Sequence, residues 1–185
     1  ILLLGQFRLT RSRALLLLAA AYLFDALMAV AHALSFPGLF APSGLLGGGS
    51  QTTAWLYFFW HGGFPLLVGS YALLKGGKRD NLAPASSDGS AILATTGLTF
   101  AAAGALTLLA TTGNDLLPAI MAGHVDGSTK IIVALLTWLL SLAALAALWQ
   151  LRSRTMLDLW LMVTTGIWIL DSALAAVLNH GRFDV

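Results

Sequence analysis

The chain has no cysteine, no glutamate and little charge of either sign. Without Cys, disulfides and thiolate metal sites are excluded. Only 10% of the 185 residues are charged, against about 25% in an ordinary soluble domain. The eight acidic residues are all Asp, set against ten Lys and Arg. So few polar groups cannot cover a surface that faces water, so lipid is expected to cover most of it. No nucleotide fingerprint, phosphate loop or nucleophilic triad appears. The basic residues fall in short clusters between apolar runs, a pattern that does not suit nucleic acid.

Hydrophobic residues make up 58% of the chain. Five runs are long enough to span a membrane, which takes about 20 apolar residues. They are Ala14–Leu34, Thr52–Leu74, Ala91–Thr111, Ile131–Trp149 and Leu157–Leu178. The expected fold is all-α: one polytopic transmembrane helix bundle over residues 1–185. Ile1–Phe7 is apolar but too short to span, and it reads as the tail of a truncated preceding helix. Lys and Arg mark the cytoplasmic ends of spans. Arg8, Arg11, Arg13, Lys75, Lys78, Arg79, Arg152 and Arg154 fall at one end, with only Lys130 and Arg182 at the other. Residues 75–90 and 150–156 are therefore expected inside, and 35–51 and 112–130 outside. The uncharged segment Ser35–Gln51 carries Pro37, Pro42 and several glycines, which forbid a continuous helix. Its Phe36, Leu39, Phe40, Leu45 and Leu46 suit a cap in the outer interface or over the bundle mouth.

Three ionisable groups fall near the membrane midplane: Asp25, His61 and Asp171. At ~1.5 Å per residue they lie roughly 17, 20 and 21 Å from the inner surface. Such groups are costly in lipid and are expected to face the bundle interior. Two readings are open: mutual satisfaction for packing, or a cluster sensitive to protons or a ligand. His61 stands in WHGGFP, and Pro65 removes the N–H that would bond the His61 carbonyl. The helix is expected to bend there, with Gly62 and Gly63 allowing close approach. Trp60 and Trp168 adjoin His61 and Asp171 and suit a pocket wall. Trp149 and Trp160 suit the inner interface and Trp55 the outer. His32 follows Asp25 by two turns, below the capping loop; His124 and His180 lie outside, with Asp115, Asp126 and Asp184. No HxxxH or HxH spacing appears, so no metal site is assigned. A haem clamped by two His is the alternative cofactor, with His61 the deep candidate and His32 roughly 7 Å higher.

The stretch from Gln6 to Lys75 resembles the fourth family of membrane-associated sensor (MASE) domains. The resemblance rests on YLF, the run His32–Gly38, GLLGGG and AWLYFFWHGGFP, and extends through RSRTMLDLWLMV. Asp25 and Ala31 depart from the family pattern, which has a small or hydroxyl residue and a proline there. The resemblance implies a bacterial inner-membrane input module. A cytoplasmic diguanylate cyclase or histidine kinase domain would follow in the same polypeptide, and the arrangement leaves room for a homodimer. It also implies further helices before Ile1 and after Val185, and no catalysis in this chain. The residues it singles out are His32, Phe36, Pro37, Gly38, Trp55, Trp60, His61, Phe64 and Pro65. With Asp25 and Asp171 from the depth argument, His32, Trp60, His61, Phe64 and Pro65 form the expected sensing site. The competing classes are a haem- or metal-binding electron-transfer subunit and a small transporter or channel. The transporter class lacks the internal repeat such folds show.

Overall fold

A computed structural model describes residues 2–77, 88–122, 125–126 and 128–178. Six α-helices appear among them: α1 (Leu2–Thr10), α2 (Arg13–Ser35), α3 (Thr52–Gly76), α4 (Asp88–Thr111), α5 (Ser128–Trp149) and α6 (Met156–Leu178). The five expected runs become α2 to α6, each extended by a turn or less. A 3-10 turn at Asn114–Leu116 precedes a minimal antiparallel hairpin, β1 (Met121–Ala122) against β2 (Val125–Asp126). His124, His180, Asp184, Lys78, Arg79 and Arg182 lie outside the described residues.

Four helices are long and apolar enough to cross a membrane by length and composition: α2, α4, and the stretches Thr129–Trp149 and Met156–Leu174. The fifth expected span, α3, is 25 residues long but is not among these four; it carries two Trp, two Tyr, four Gly, His61 and Pro65. Its environment explains that composition. α3 packs against α2, α4, α5 and α6 at once, so much of its surface meets protein, although Leu66 and Leu73 stay exposed. The outer faces of α4, α5 and α6 stay apolar, with Leu93, Leu98, Ile132, Leu139, Ile167 and Leu174 exposed.

α3 joins two cores. Towards the Arg-rich end, Phe64, Val68 and Tyr71 pack with Leu18 of α2, Leu148 of α5 and Leu161 of α6. Towards the other end, Trp55 and Leu56 pack with Phe24 and Met28 of α2 and Ile120. Trp55 is therefore a core residue, only 7% exposed, rather than a member of the outer belt. Its indole N–H donates to the Pro118 carbonyl, which anchors the outer loop instead.

Ser12 caps α2 by accepting the Leu15 N–H, and Arg11 takes a positive φ to turn the chain between α1 and α2. The loop after α2 folds back through a bond from the Leu45 N–H to the Leu34 carbonyl. Gly44 makes this return: its φ is +74°, and a Cβ would sit 2.4 Å from the Ser35 oxygen. Phe36 meets the His32 ring and Leu46 joins the outer core, but Leu39, Phe40 and Leu45 are exposed. Of the loop's large apolar residues, Phe36 and Leu46 thus turn towards the bundle, and Gln51 Oε1 accepts the Ile120 N–H beside them.

Candidate functional site

α3 supplies most of the site. Pro65 sits inside it, and the helix continues through as one element. The carbonyl that Pro65 leaves unpaired, His61 O, accepts the indole N–H of Trp168 at 3.1 Å. The backbone defect read from the sequence is therefore repaired from α6. Gly63 is needed for packing: a Cβ there would come within 2.4 Å of the Phe24 ring. Gly62 has only ordinary contacts with Thr137 and Leu140 of α5, so the expected close approach falls on one of the two glycines.

The His61 ring is enclosed and 3% of the residue is exposed. It stacks against Tyr57 at 3.8 Å and against Trp168 at 4.8 Å, while Trp60 meets its edge at 4.7 Å. Trp168 also lies edge-on to Trp60 and tilted against Phe64. Phe64, 2% exposed, meets Tyr22 of α2 on its other side. Both ring nitrogens are engaged. Nδ1 lies 2.9 Å from the Tyr57 carbonyl oxygen and Nε2 lies 3.2 Å from Asp171 Oδ2.

The expected trio is therefore assembled unevenly. His61 and Asp171 meet directly. Asp25 is half-buried and reaches His61 through an intermediary, its carboxylate accepting the Trp60 indole N–H at 2.6 Å. Asp171 corrects the expectation of an inward-facing group, since its side chain is 60% exposed. It sits on the flank of α6, and α6 lies at the bundle edge against α5 and α3. The carboxylate reaches inward from that flank.

His32 belongs to the same aromatic group. Its ring lies 6.0 Å from Tyr57 and 5.8 Å from Trp60, and its buried Nδ1 has no hydrogen-bond partner among the described residues. Phe36, Tyr57 and Trp60 are the rings around it. For a haem, His61 has no free ring nitrogen in this arrangement, and both its faces are covered. No group of three or more His, Asp or Glu able to hold a metal occurs among the described residues.

A second polar contact between α3 and α6 was not foreseen from the sequence. Asp158, fully buried, accepts from Tyr71 Oη at 2.7 Å, Lys75 Nζ at 2.5 Å, the Thr155 N–H at 2.6 Å and Thr155 Oγ1 at 2.8 Å. Lys75 therefore belongs to the last turn of α3 and to this network. The signal was present: Thr155-x-x-Asp158 before an apolar run has the form of a capping box, with Asp in place of Glu. At the same end, Arg154 covers the Trp149 ring and donates to the Trp149 carbonyl.

Helices that pack around an aromatic and polar centre, with apolar outer faces, agree with comparison to known families. A family model described as MASE4, membrane-associated sensor, integral membrane domain, matches residues 1–182. Neither a curated protein nor a solved structure matches the chain. The match covers all six described helices, the His61–Asp171 contact and the Asp158 network, so this multi-pass chain belongs to the MASE4 family of membrane-associated sensor domains.

Proposed function

We propose that the bundle is the sensory input module of a bacterial inner-membrane receptor, and that the His61-centred cluster is its sensing element. The family match over residues 1–182 carries this reading. The output is a cytoplasmic signalling domain of the same polypeptide, a diguanylate cyclase or a histidine kinase, and the catalytic step belongs to that domain. The Lys/Arg-rich end faces the cytoplasm. A stimulus that alters the contacts of His61 changes how α6 sits against α3, and a shift of one packed helix is a common switching movement. A homodimer would let two such bundles act on paired output domains.

The test uses the full-length protein with its native output domain. His61→Gln, Asp171→Asn and His32→Ala are inserted, membrane insertion is verified, and output activity is measured with and without stimulus. Altered basal output or a lost response in the His61 and Asp171 variants supports the reading. Normal insertion with an unchanged response in all three overturns it. Orientation is checked by single cysteines in this cysteine-free chain: position 43 should label from outside whole cells and position 86 should not.

A further inference from the structure

We propose that His61 and Asp171 form a proton-binding site in which one exchangeable proton joins α3 to α6. The argument is a count of donors and acceptors. His61 Nδ1 lies 2.9 Å from the Tyr57 carbonyl oxygen, and Nε2 lies 3.2 Å from Asp171 Oδ2. A neutral imidazole has one N–H and one lone pair, and an ionised carboxylate only accepts. With neutral His61 and ionised Asp171, either tautomer leaves a ring lone pair aimed at an oxygen lone pair. Both contacts are made only when the pair holds one more proton. It is then an imidazolium beside a carboxylate, or an Nδ1–H imidazole accepting from a carboxylic acid. The two forms have the same proton count and zero net charge. Release of that proton to solvent leaves one negative charge in an apolar layer and turns one of the two contacts repulsive.

The surroundings make the count consequential. Tyr57 and Trp168 cover both ring faces, which leaves water little access to replace a lost partner. Asp171, with its side chain 60% exposed on the flank of α6, is the less enclosed member of the pair. The other titratable groups near the ring are few. α2 brings Asp25, held by Trp60, together with His32 against the Tyr57 and Trp60 rings and Tyr22 against Phe64. α3 brings Tyr57, and α6 brings only Asp171. The charged residues of α4 and α5 are Asp88 and Lys130, both at helix ends. Asp25 is thus the nearest further charge, and its sign favours a proton at the site. The Trp168 bond to the His61 carbonyl does not depend on that proton, so its loss loosens α6 without detaching it.

This deepens the sensory reading by naming the proton as the ligand; only the consequence for signalling rests on that reading. Histidine labelled with nitrogen-15 is observed by NMR in the full-length protein in lipid nanodiscs. Infrared difference spectra follow the Asp171 carboxyl, and pH is scanned upward from about 5 to 8. His61→Gln identifies the ring signals. The expected result is loss of a single proton, seen together in the His61 ring and the Asp171 carboxyl. Asp171→Asn should abolish that transition, because its amide N–H donates to a neutral Nε2. A neutral His61 beside an ionised Asp171 at every pH overturns the proposal, as does a pair that keeps its proton throughout. An unchanged transition in Asp171→Asn overturns it too. The unmodified protein decides the first two outcomes even if the variant fails to fold. An output that ignores a verified proton transition would defeat the sensory reading alone.

Discussion

At the Lys/Arg-rich end of the bundle, α6 meets α3 through a carboxylate surrounded by donors. Farther along, it meets α3 through a carboxylate facing an imidazole whose other nitrogen faces a second acceptor. Asp158 receives four hydrogen bonds and the charge of Lys75, so its ionised form is satisfied as it stands. Asp171 and His61 are satisfied only with an added proton. A carboxylate matched by donors makes a fixed joint; one matched by a shared proton makes a joint that chemistry can open. Because both lie between the same two helices, the first can act as a pivot for movement at the second.

The largest effect should come from the fixed joint. Asp158→Ala removes the carboxylate shared by Lys75, Tyr71 and Thr155, leaving the Lys75 ammonium with hydroxyl partners only among these groups. It should cost about 3 kcal/mol, the lower end for breaking a buried ion pair, since helix ends lie close to water. Thermal unfolding in detergent followed by helical circular dichroism measures this, and a loss below that of the His61 variants would break the comparison.

A smaller effect is expected where α6 repairs the proline defect. Trp168→Phe removes the donor to the His61 carbonyl and should cost about 1–3 kcal/mol for a buried acceptor left unpaired. Pro65→Ala restores a backbone N–H to that carbonyl, so Trp168→Phe should cost clearly less in the Pro65→Ala background. Equal costs in both backgrounds would show that the indole acts by packing alone. The smallest effect belongs to a contact outside both joints. Arg11 Nε and Asp88 Oδ2 lie 3.6 Å apart, with side chains 34% and 18% exposed. Arg11→Gln should change stability by no more than about 1 kcal/mol in the same unfolding assay, as surface pairs do.

The two joints were not equally legible in the sequence. Depth along a helix follows from counting residues, so the shared layer of His61 and Asp171 could be read directly, as could the carbonyl freed by Pro65. Rotation about the helix axis could not. In a membrane bundle both the core-facing and the lipid-facing side of a helix are apolar, so periodicity does not say which way a residue points. Hence the residue count does not show that Asp171 sits on a flank, or that Asp25 reaches His61 only through Trp60. Asp158 stands in the first turn of α6, where an acidic residue ordinarily needs no further partner. Only the neighbouring α3, which no local pattern announces, brings Tyr71 and Lys75 to it.

The central claim is that α6 pivots on Asp158 when the His61–Asp171 proton leaves. The chain has no native cysteine, so spin labels can be placed without background. One pair, Ser50→Cys in the loop just before α3 with Leu174→Cys on α6, lies at the far end; the other, Leu73→Cys with Met156→Cys, lies beside Asp158, and all four positions are exposed. Pulsed electron resonance in nanodiscs at two pH values, below and above the proton transition, gives both distances. The expected result is a longer or broader distance for the far pair at high pH, with the pair beside Asp158 unchanged. Two distances that both stay fixed, or that shift together, would contradict the pivot.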